Sequence, residues 1–185
     1  MISSGTIVAG GETVRKNSEL DRILFDFSDK TQAEYWVAIN DNVMGGVSRG
    51  SASITEDSCL LFSGAISLEN NGGFASIRSL PKDFDLAGHT GIRITVNGDG
   101  RVYQFRLRPD KNFDGVAFKQ EFRTTADTWL SIDLPFASFL PTYRGRILQD
   151  VEPIAAADIR QIGFLIADKA EGPFRLLIDE IRAYK

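Results

Sequence analysis

The chain holds one histidine and one cysteine among 185 residues, too few for most nucleophilic or metal chemistry. His89 stands in Ala87-Gly88-His89-Thr90-Gly91, a glycine-flanked stretch that reads as a turn. A serine triad needs more than this histidine, and no Gly-x-Ser-x-Gly elbow accompanies it. His89 therefore reads as a loop residue rather than a general base. Cys59, in Asp57-Ser58-Cys59-Leu60-Leu61, opens an apolar run. An activated thiol needs a neighbouring base or a positive field, so Cys59 reads as a small, half-buried core residue. One cysteine makes neither an internal disulfide nor a cysteine-rich zinc site.

Two carboxylates could make a glycosidase pair, yet none of the 25 acidic residues is singled out by its setting. Asp99 and Asp114 fall in turns, and Asp179 and Glu180 in a terminal strand. There is no phosphate-binding glycine loop and no dinucleotide fingerprint. Asn97-Gly98-Asp99-Gly100 is too short for an EF-hand and lacks its closing glutamate. Calcium held by loop carbonyls leaves no regular spacing and stays open. The expectation is a protein without catalytic residues, resident metal or cofactor.

Binding chemistry has better candidates. Ser76 and Arg78 share a strand face with Phe74, while Gln104, Arg106 and Arg108 lie opposite Tyr103, Phe105 and Leu107. Gln120 is in phase with Phe118 and Phe122. An arginine on a sheet face clamps a carboxylate, a sugar hydroxyl or a backbone carbonyl. Arg78 suits either a ligand or an internal bond, whereas Arg106 and Arg108 are expected on a solvated face. Trp36 is expected in the core. Trp129 alternates with Leu130 and Ile132 and is expected on the outer face, as a platform for a sugar or an anchor for a protein. Asn42, Asn70 and Asn71 can cap turns beside Gly45-Gly46 and Gly72-Gly73. Met44 among them would suit a protein partner through its adaptable thioether.

Elements of period two must position these residues. Apolar side chains recur at every second position in Leu60–Leu68, Ile92–Val96, Tyr103–Leu107, Val116–Phe122, Leu130–Leu134, Ile162–Ile166 and Phe174–Ile178, the mark of strands with one buried face. Ile23–Phe27 adds a short aromatic strand. Asn97-Gly98-Asp99-Gly100-Arg101, between two such runs, predicts a hairpin. Helix candidates are short: Ser28 to Glu34 and Ala155 to Asp158. Many strands with glycine turns predict an all-β, antiparallel sandwich of jelly-roll type. A single domain over residues 23–185 is expected, after a loosely ordered lead-in over 1–22.

Composition narrows the partners. With 21 basic and 25 acidic residues the net charge is −4, the wrong sign for broad nucleic-acid binding. No run approaches the roughly 18 apolar residues of a membrane span. The N-terminal segment has neither the basic start nor the apolar stretch of a signal peptide. The default location is cytoplasmic, with a peripheral place at a membrane or a processed organelle form also open.

Two segments go beyond generic strand grammar: Trp36 to Gly50, with Asn40-Asp41-Asn42-Val43-Met44-Gly45-Gly46 at its centre, and Phe62 to Arg78, with Asn70-Asn71-Gly72-Gly73. With Gly98-Asp99-Gly100-Arg101-x-Tyr103, Leu134-Pro135-Phe136 and Gly172-Pro173-Phe174, they resemble the complex I intermediate-associated protein 30 family over about residues 22–185. The resemblance implies a galactose-binding-like jelly roll and a non-catalytic role, since mitochondrial relatives help assemble respiratory complex I and related domains serve photosynthetic-complex biogenesis. The expected function is thus a protein-binding assembly factor, or chaperone, for subunits of a membrane-bound electron-transfer complex. Its contacts are expected among Asn42, Met44, Asn70, Asn71, Ser76, Arg78, Gln104, Gln120 and Trp129. The alternative is a glycan-binding module using Arg78, Gln104, Gln120 and Trp129 on a concave face.

Overall fold

A computed structural model describes residues 21–110 and 114–185. Among these residues, in chain order, the strands are β1 (Arg22–Phe25), β2 (Trp36–Asn40), β3 (Arg49–Ile54), β4 (Leu60–Ile66), β5 (Ala75–Ser79), β6 (Gly91–Asn97), β7 (Val102–Arg108), β8 (Ala117–Arg123), β9 (Trp129–Pro135), β10 (Leu140–Tyr143), β11 (Arg146–Ile147), β12 (Gln161–Ile166) and β13 (Gly172–Tyr184). One sheet runs β3-β4-β13-β6-β9, with β1 also paired to β13; the other runs β11-β10-β8-β7-β12-β5-β2. All strand pairs are antiparallel. The expected lead-in lies almost wholly outside the described residues.

The period-two runs supply the inner faces. Tyr103, Phe105 and Leu107 of β7 and Ile162, Phe164 and Ile166 of β12 point inward and are buried, as are Leu60 and Phe62 of β4 and Ile92, Ile94 and Val96 of β6. Aromatic rings join the layers: Phe62 of one sheet meets Tyr103 of the other at 6.5 Å between centroids, edge to face. Phe105 and Phe164 meet at 5.1 Å within their sheet. Each such ring, fully buried, contributes roughly 2–3 kcal/mol of apolar transfer. Trp36 is in this core, and Cys59, immediately before β4, is buried too, both as expected.

Three features depart from the sequence expectation. First, Asn97–Arg101 is not a hairpin. β6 pairs with β13 and β9, β7 with β8 and β12, so this turn carries the chain from one sheet to the other. Asp99 fixes the corner: its carboxylate accepts from the Tyr103 hydroxyl at 3.0 Å and from the Arg175 amide of β13 at 2.8 Å. Local turn chemistry is the same for a hairpin and a crossover; the partner that decides is seventy-six residues away. Second, β13 continues well past Ile178. An irregularity between Ile178 and Glu180 adds one residue and reverses the alternation. Phe174, Leu176 and Ile178 point inward before it, Ile181 and Ala183 after it. Third, β2, β3 and β10 lack an obvious apolar alternation; β3 lies at a sheet edge, where one-sided cover asks for few large side chains. The two short helix candidates become 3₁₀ turns, Lys30–Tyr35, capped by the Asp29 side chain, and Ala156–Asp158.

Candidate functional site

The face of the second sheet turned away from the core is polar and cationic. Strand register places Val37, Arg78, Gly163, Arg106 and Lys119 in one row across β2, β5, β12, β7 and β8. The neighbouring row holds Ile39, Ser76, Leu165, Gln104 and Glu121. Arg108 follows two residues beyond Arg106 on the same face of β7, opposite Gln161. Gly163 is a glycine for a steric reason, since a Cβ there would sit 2.5 Å from the Ile77 carbonyl oxygen. The missing side chain leaves a pocket of about 20 Å³, bordered by Ser76, Arg78, Arg106, Arg108 and Leu165.

Electrostatics mark this pocket. Arg106 donates to the neutral Gln104 Oε1 at 2.9 Å and 3.2 Å, and Arg108 donates to the Gly115 carbonyl at 3.1 Å. Lys119 is paired with Glu121 at 3.0 Å. Burial, with repulsion from Arg108 and Arg106, brings the Arg78 guanidinium down to about 10. Burial and the charge of Arg108 bring Arg106 to about 10 as well, and burial lowers Arg108. Three guanidinium groups thus share a partly dry surface and repel one another, an arrangement that an anion relieves.

A second feature is built on a buried carboxylate. Asp41 is fully enclosed. Its Oδ1 accepts from the Ser48 amide at 2.9 Å, and its Oδ2 accepts from the Gly73 amide at 2.7 Å and the Phe74 amide at 3.3 Å. Burial raises its pKa, but the bonds from Ser48, Gly73 and Phe74 outweigh that and leave it below the ordinary carboxylate value. Two glycines make room for the carboxyl group: a Cβ on Gly46 would lie 2.4 Å from its Cγ, and one on Gly72 2.5 Å from its Oδ2. Asn70 and Asn71 both adopt positive φ, 54° and 59°, which asparagine tolerates better than most residues. The two motifs are thereby tied to each other. On their outer side Val43, Met44, Val47 and Leu68 remain exposed, Val43 and Met44 at 71%.

The expected contact residues fall into separate groups. Asn42, Met44, Asn70 and Asn71 are exposed on the locked loops. Ser76, Arg78 and Gln104 lie together on the cationic face. Gln120 faces the other way, directly opposite Phe105 on the core side of the sheet, and its Oε1 has no hydrogen-bond partner among the described residues. Trp129 is on β9 of the first sheet, 47% exposed as its alternation predicts. Arg78, Gln104, Gln120 and Trp129 therefore do not form one concave face. Arg106 and Arg108 are not on a freely solvated face: Arg108 is buried and Arg106 half-buried. The signal for them was present, since Gln104-x-Arg106-x-Arg108 and Ser76-x-Arg78 have the same period, but their union needs β12 between them. Among the described residues no group of histidine, cysteine and carboxylate side chains could hold a metal ion.

Two layers, crossed by the Asp99 corner and carrying polar side chains on one outer face, define a jelly roll of the galactose-binding-like kind. The family 11 carbohydrate-binding module of the cellulosomal cellulase Lic26A-Cel5E of Clostridium thermocellum is similar in fold, with a TM-score of 0.68 at 18% identity over 89% of this chain and 94% of that one. The agarase AgWH50C contains a similar part, with a TM-score of 0.60 at 14% identity over 90% of this chain and 25% of that one. Sequence comparison is more specific: the complex I intermediate-associated protein 30 family model matches residues 25–178, and the chain belongs to that family. The mouse mitochondrial complex I intermediate-associated protein 30 is 26% identical over 189 residues, covering 90% of this chain and 57% of the relative. A probable counterpart in Caenorhabditis elegans is 32% identical over 97 residues, 50% of this chain and 28% of the relative. The chain thus spans little more than half the length of the first relative and less of the second.

Proposed function

We propose that this protein is a protein-binding assembly factor for a membrane-bound electron-transfer complex of the respiratory complex I type. Family membership supports the role, through relatives named as mitochondrial complex I intermediate-associated proteins. The observation that carries the reading is the display of Val43, Met44, Val47 and Leu68, 43–71% exposed, on loops held rigid by the Asp41 carboxylate. Exposed apolar side chains on a pre-ordered loop bind a protein surface with little ordering cost. In this reading the loops cover an apolar surface of an immature subunit until the next component displaces them. No described helix is long and apolar enough to cross a membrane.

Glycan binding takes second place. The outward positions of β2, β5, β12, β7 and β8 hold no aromatic ring on which a neutral sugar could stack, and Trp129 belongs to the other sheet.

The test is a quantitative cross-linking pull-down from native membranes, comparing wild type with a Val43→Ser/Met44→Ser variant checked for folding. Enrichment of subunits of such a complex, lost in the variant, supports the reading. Wild type that enriches no such subunit counts against it.

A further inference from the structure

We propose that β9 is a docking edge for a second copy of this chain, the two β9 strands pairing antiparallel about a two-fold axis at Ile132. This goes beyond the assembly role. It leaves the Met44 loop free, because β9 ends its sheet opposite β3, the strand that follows that loop.

The backbone supplies the edge. β9, Trp129–Pro135, is paired on one side only, to β6. Phe136 donates its amide to the Thr90 carbonyl, and Asp127 donates to the Gly98 carbonyl. These carbonyls flank β6 at even positions and point towards the β9 side. Ile92, Ile94 and Val96 therefore bond Leu134, Ile132 and Leu130, their register partners. Trp129, Ser131, Asp133 and Pro135 turn their backbone groups the other way, and no described backbone carbonyl accepts from the Ser131 or Asp133 amide on that side. The same four residues are exposed. Few of the usual guards of a free edge are present: no lysine, arginine or bulge interrupts the strand, and its proline is the last residue.

Side chains choose the partner and the register. With Ile132 opposite its own copy, Ser131 meets Asp133 and Trp129 meets Pro135. That register forms about six interstrand hydrogen bonds, since Pro135 has no amide to return. Trp129, 47% exposed, then lies against the proline ring of the second copy, apolar surface on apolar surface. Asp133 is already neutralised by Arg93 of β6, at 2.5 and 3.0 Å, and meets a hydroxyl rather than another charge. The neighbouring registers are worse. With Ser131 on its own copy, Trp129 faces a carboxylate; with Asp133 on its own copy, two carboxylates meet and Trp129 has no partner. An exposed edge that complements itself in this way fits a second copy better than an unrelated segment. One strand pair buries less than the roughly 1,200 Å² of a standard interface, so the dimer is expected to be weak and to form as concentration rises.

The test is sedimentation velocity of the full chain from about 1 μM to about 1 mM. Wild type is expected to pass reversibly from monomer to dimer across that range. Ser131→Pro removes an amide that faces away from β6 and should weaken the dimer at least about tenfold. Trp129→Ser, at an exposed position, should weaken it about threefold or more. Thermal unfolding of each variant establishes that it is folded. The register is read by mild oxidation in a Cys59→Ala background. Ile132→Cys would face its own copy in a non-hydrogen-bonded pair with Cα atoms about 4.5 Å apart, within disulfide reach, and should cross-link. Ser53→Cys, exposed on the β3 edge, should not. Wild type that stays monomeric throughout overturns the proposal, and if Ser131→Pro then loses a client in the pull-down, the edge belongs to another protein. A dimer unmoved by both variants, or one cross-linked through position 53 and not 132, overturns it as well. The pull-down with Val43→Ser/Met44→Ser probes a different surface, so either proposal can fail alone.

Discussion

The Asp41 carboxylate accepts the Gly73 amide at 2.7 Å, joining loops thirty-two residues apart. Through this bond the Asn40-Asp41-Asn42 and Gly72-Gly73 motifs act as one unit. The glycines make room for a buried charge, Asn70 and Asn71 take the positive-φ turn beside it, and nearby apolar residues are left facing outward. The motifs are structural at their centre and available for contact at their tips.

Replacing the charge should loosen this unit. Asp41→Asn turns one acceptor oxygen into an NH₂ group facing backbone donors. The expected loss is about 2–4 kcal/mol, a fall in Tm of roughly 5–15 °C, read by thermal or urea unfolding. An unchanged Tm contradicts the lock.

The same carboxylate should appear in the acid response. Its folded pKa is below that of the unfolded chain, so its stabilisation is complete above about pH 4 and is lost as pH falls through the folded value. Wild type should lose stability on acidification below about pH 4 more steeply than Asp41→Asn. Parallel slopes would remove Asp41 from the account.

Steric complementarity gives an independent check. Gly46→Ala places a methyl against the Asp41 carboxyl and should cost about 1–3 kcal/mol. The double variant with Asp41→Asn should lose less than the sum of the two single losses, because both changes disturb the same hydrogen-bonded carboxyl site. Strict additivity would mean that Gly46 serves another purpose.

The interlayer corner has its own signature. Tyr103→Phe deletes the hydroxyl that Asp99 accepts and leaves a carboxylate short of one donor. A loss of about 1–2 kcal/mol is expected, from equilibrium unfolding.

How much of this was legible in the sequence follows from where each determinant lies. Period-two alternation is local, and it predicted most strands, the outward Trp129 and the sandwich itself, whereas Trp36 was expected inside on residue type alone. Asn97–Arg101 has hairpin chemistry, yet whether its flanking strands pair depends on Asp99 reaching Arg175. The irregularity after Ile178 is set by register against β6 and breaks a run that periodicity alone would end. Ser76 and Arg78 could be placed on one face, but their meeting with Gln104, Arg106 and Arg108 required β12 to insert between β5 and β7. Nothing local distinguishes an arginine in such a row from one in open water.

The burial of Cys59 can be checked simply. It is buried, and burial, reinforced by Asp179 and Asp57, raises its thiol pKa. Its reaction with a thiol reagent should be slow in the native protein and roughly a hundredfold faster on unfolding. Rapid native reaction would contradict this placement.

The assembly reading is tested most directly by a photoreactive residue in place of Met44, with a control at Glu56, which lies beyond the other end of β3. Irradiation of native membranes followed by mass spectrometry identifies what each position touches. The account predicts adducts between position 44 and a subunit of a complex I-type membrane assembly, and none at position 56. Adducts with such a subunit at 56 but not at 44, or no such subunit at either position, would contradict it.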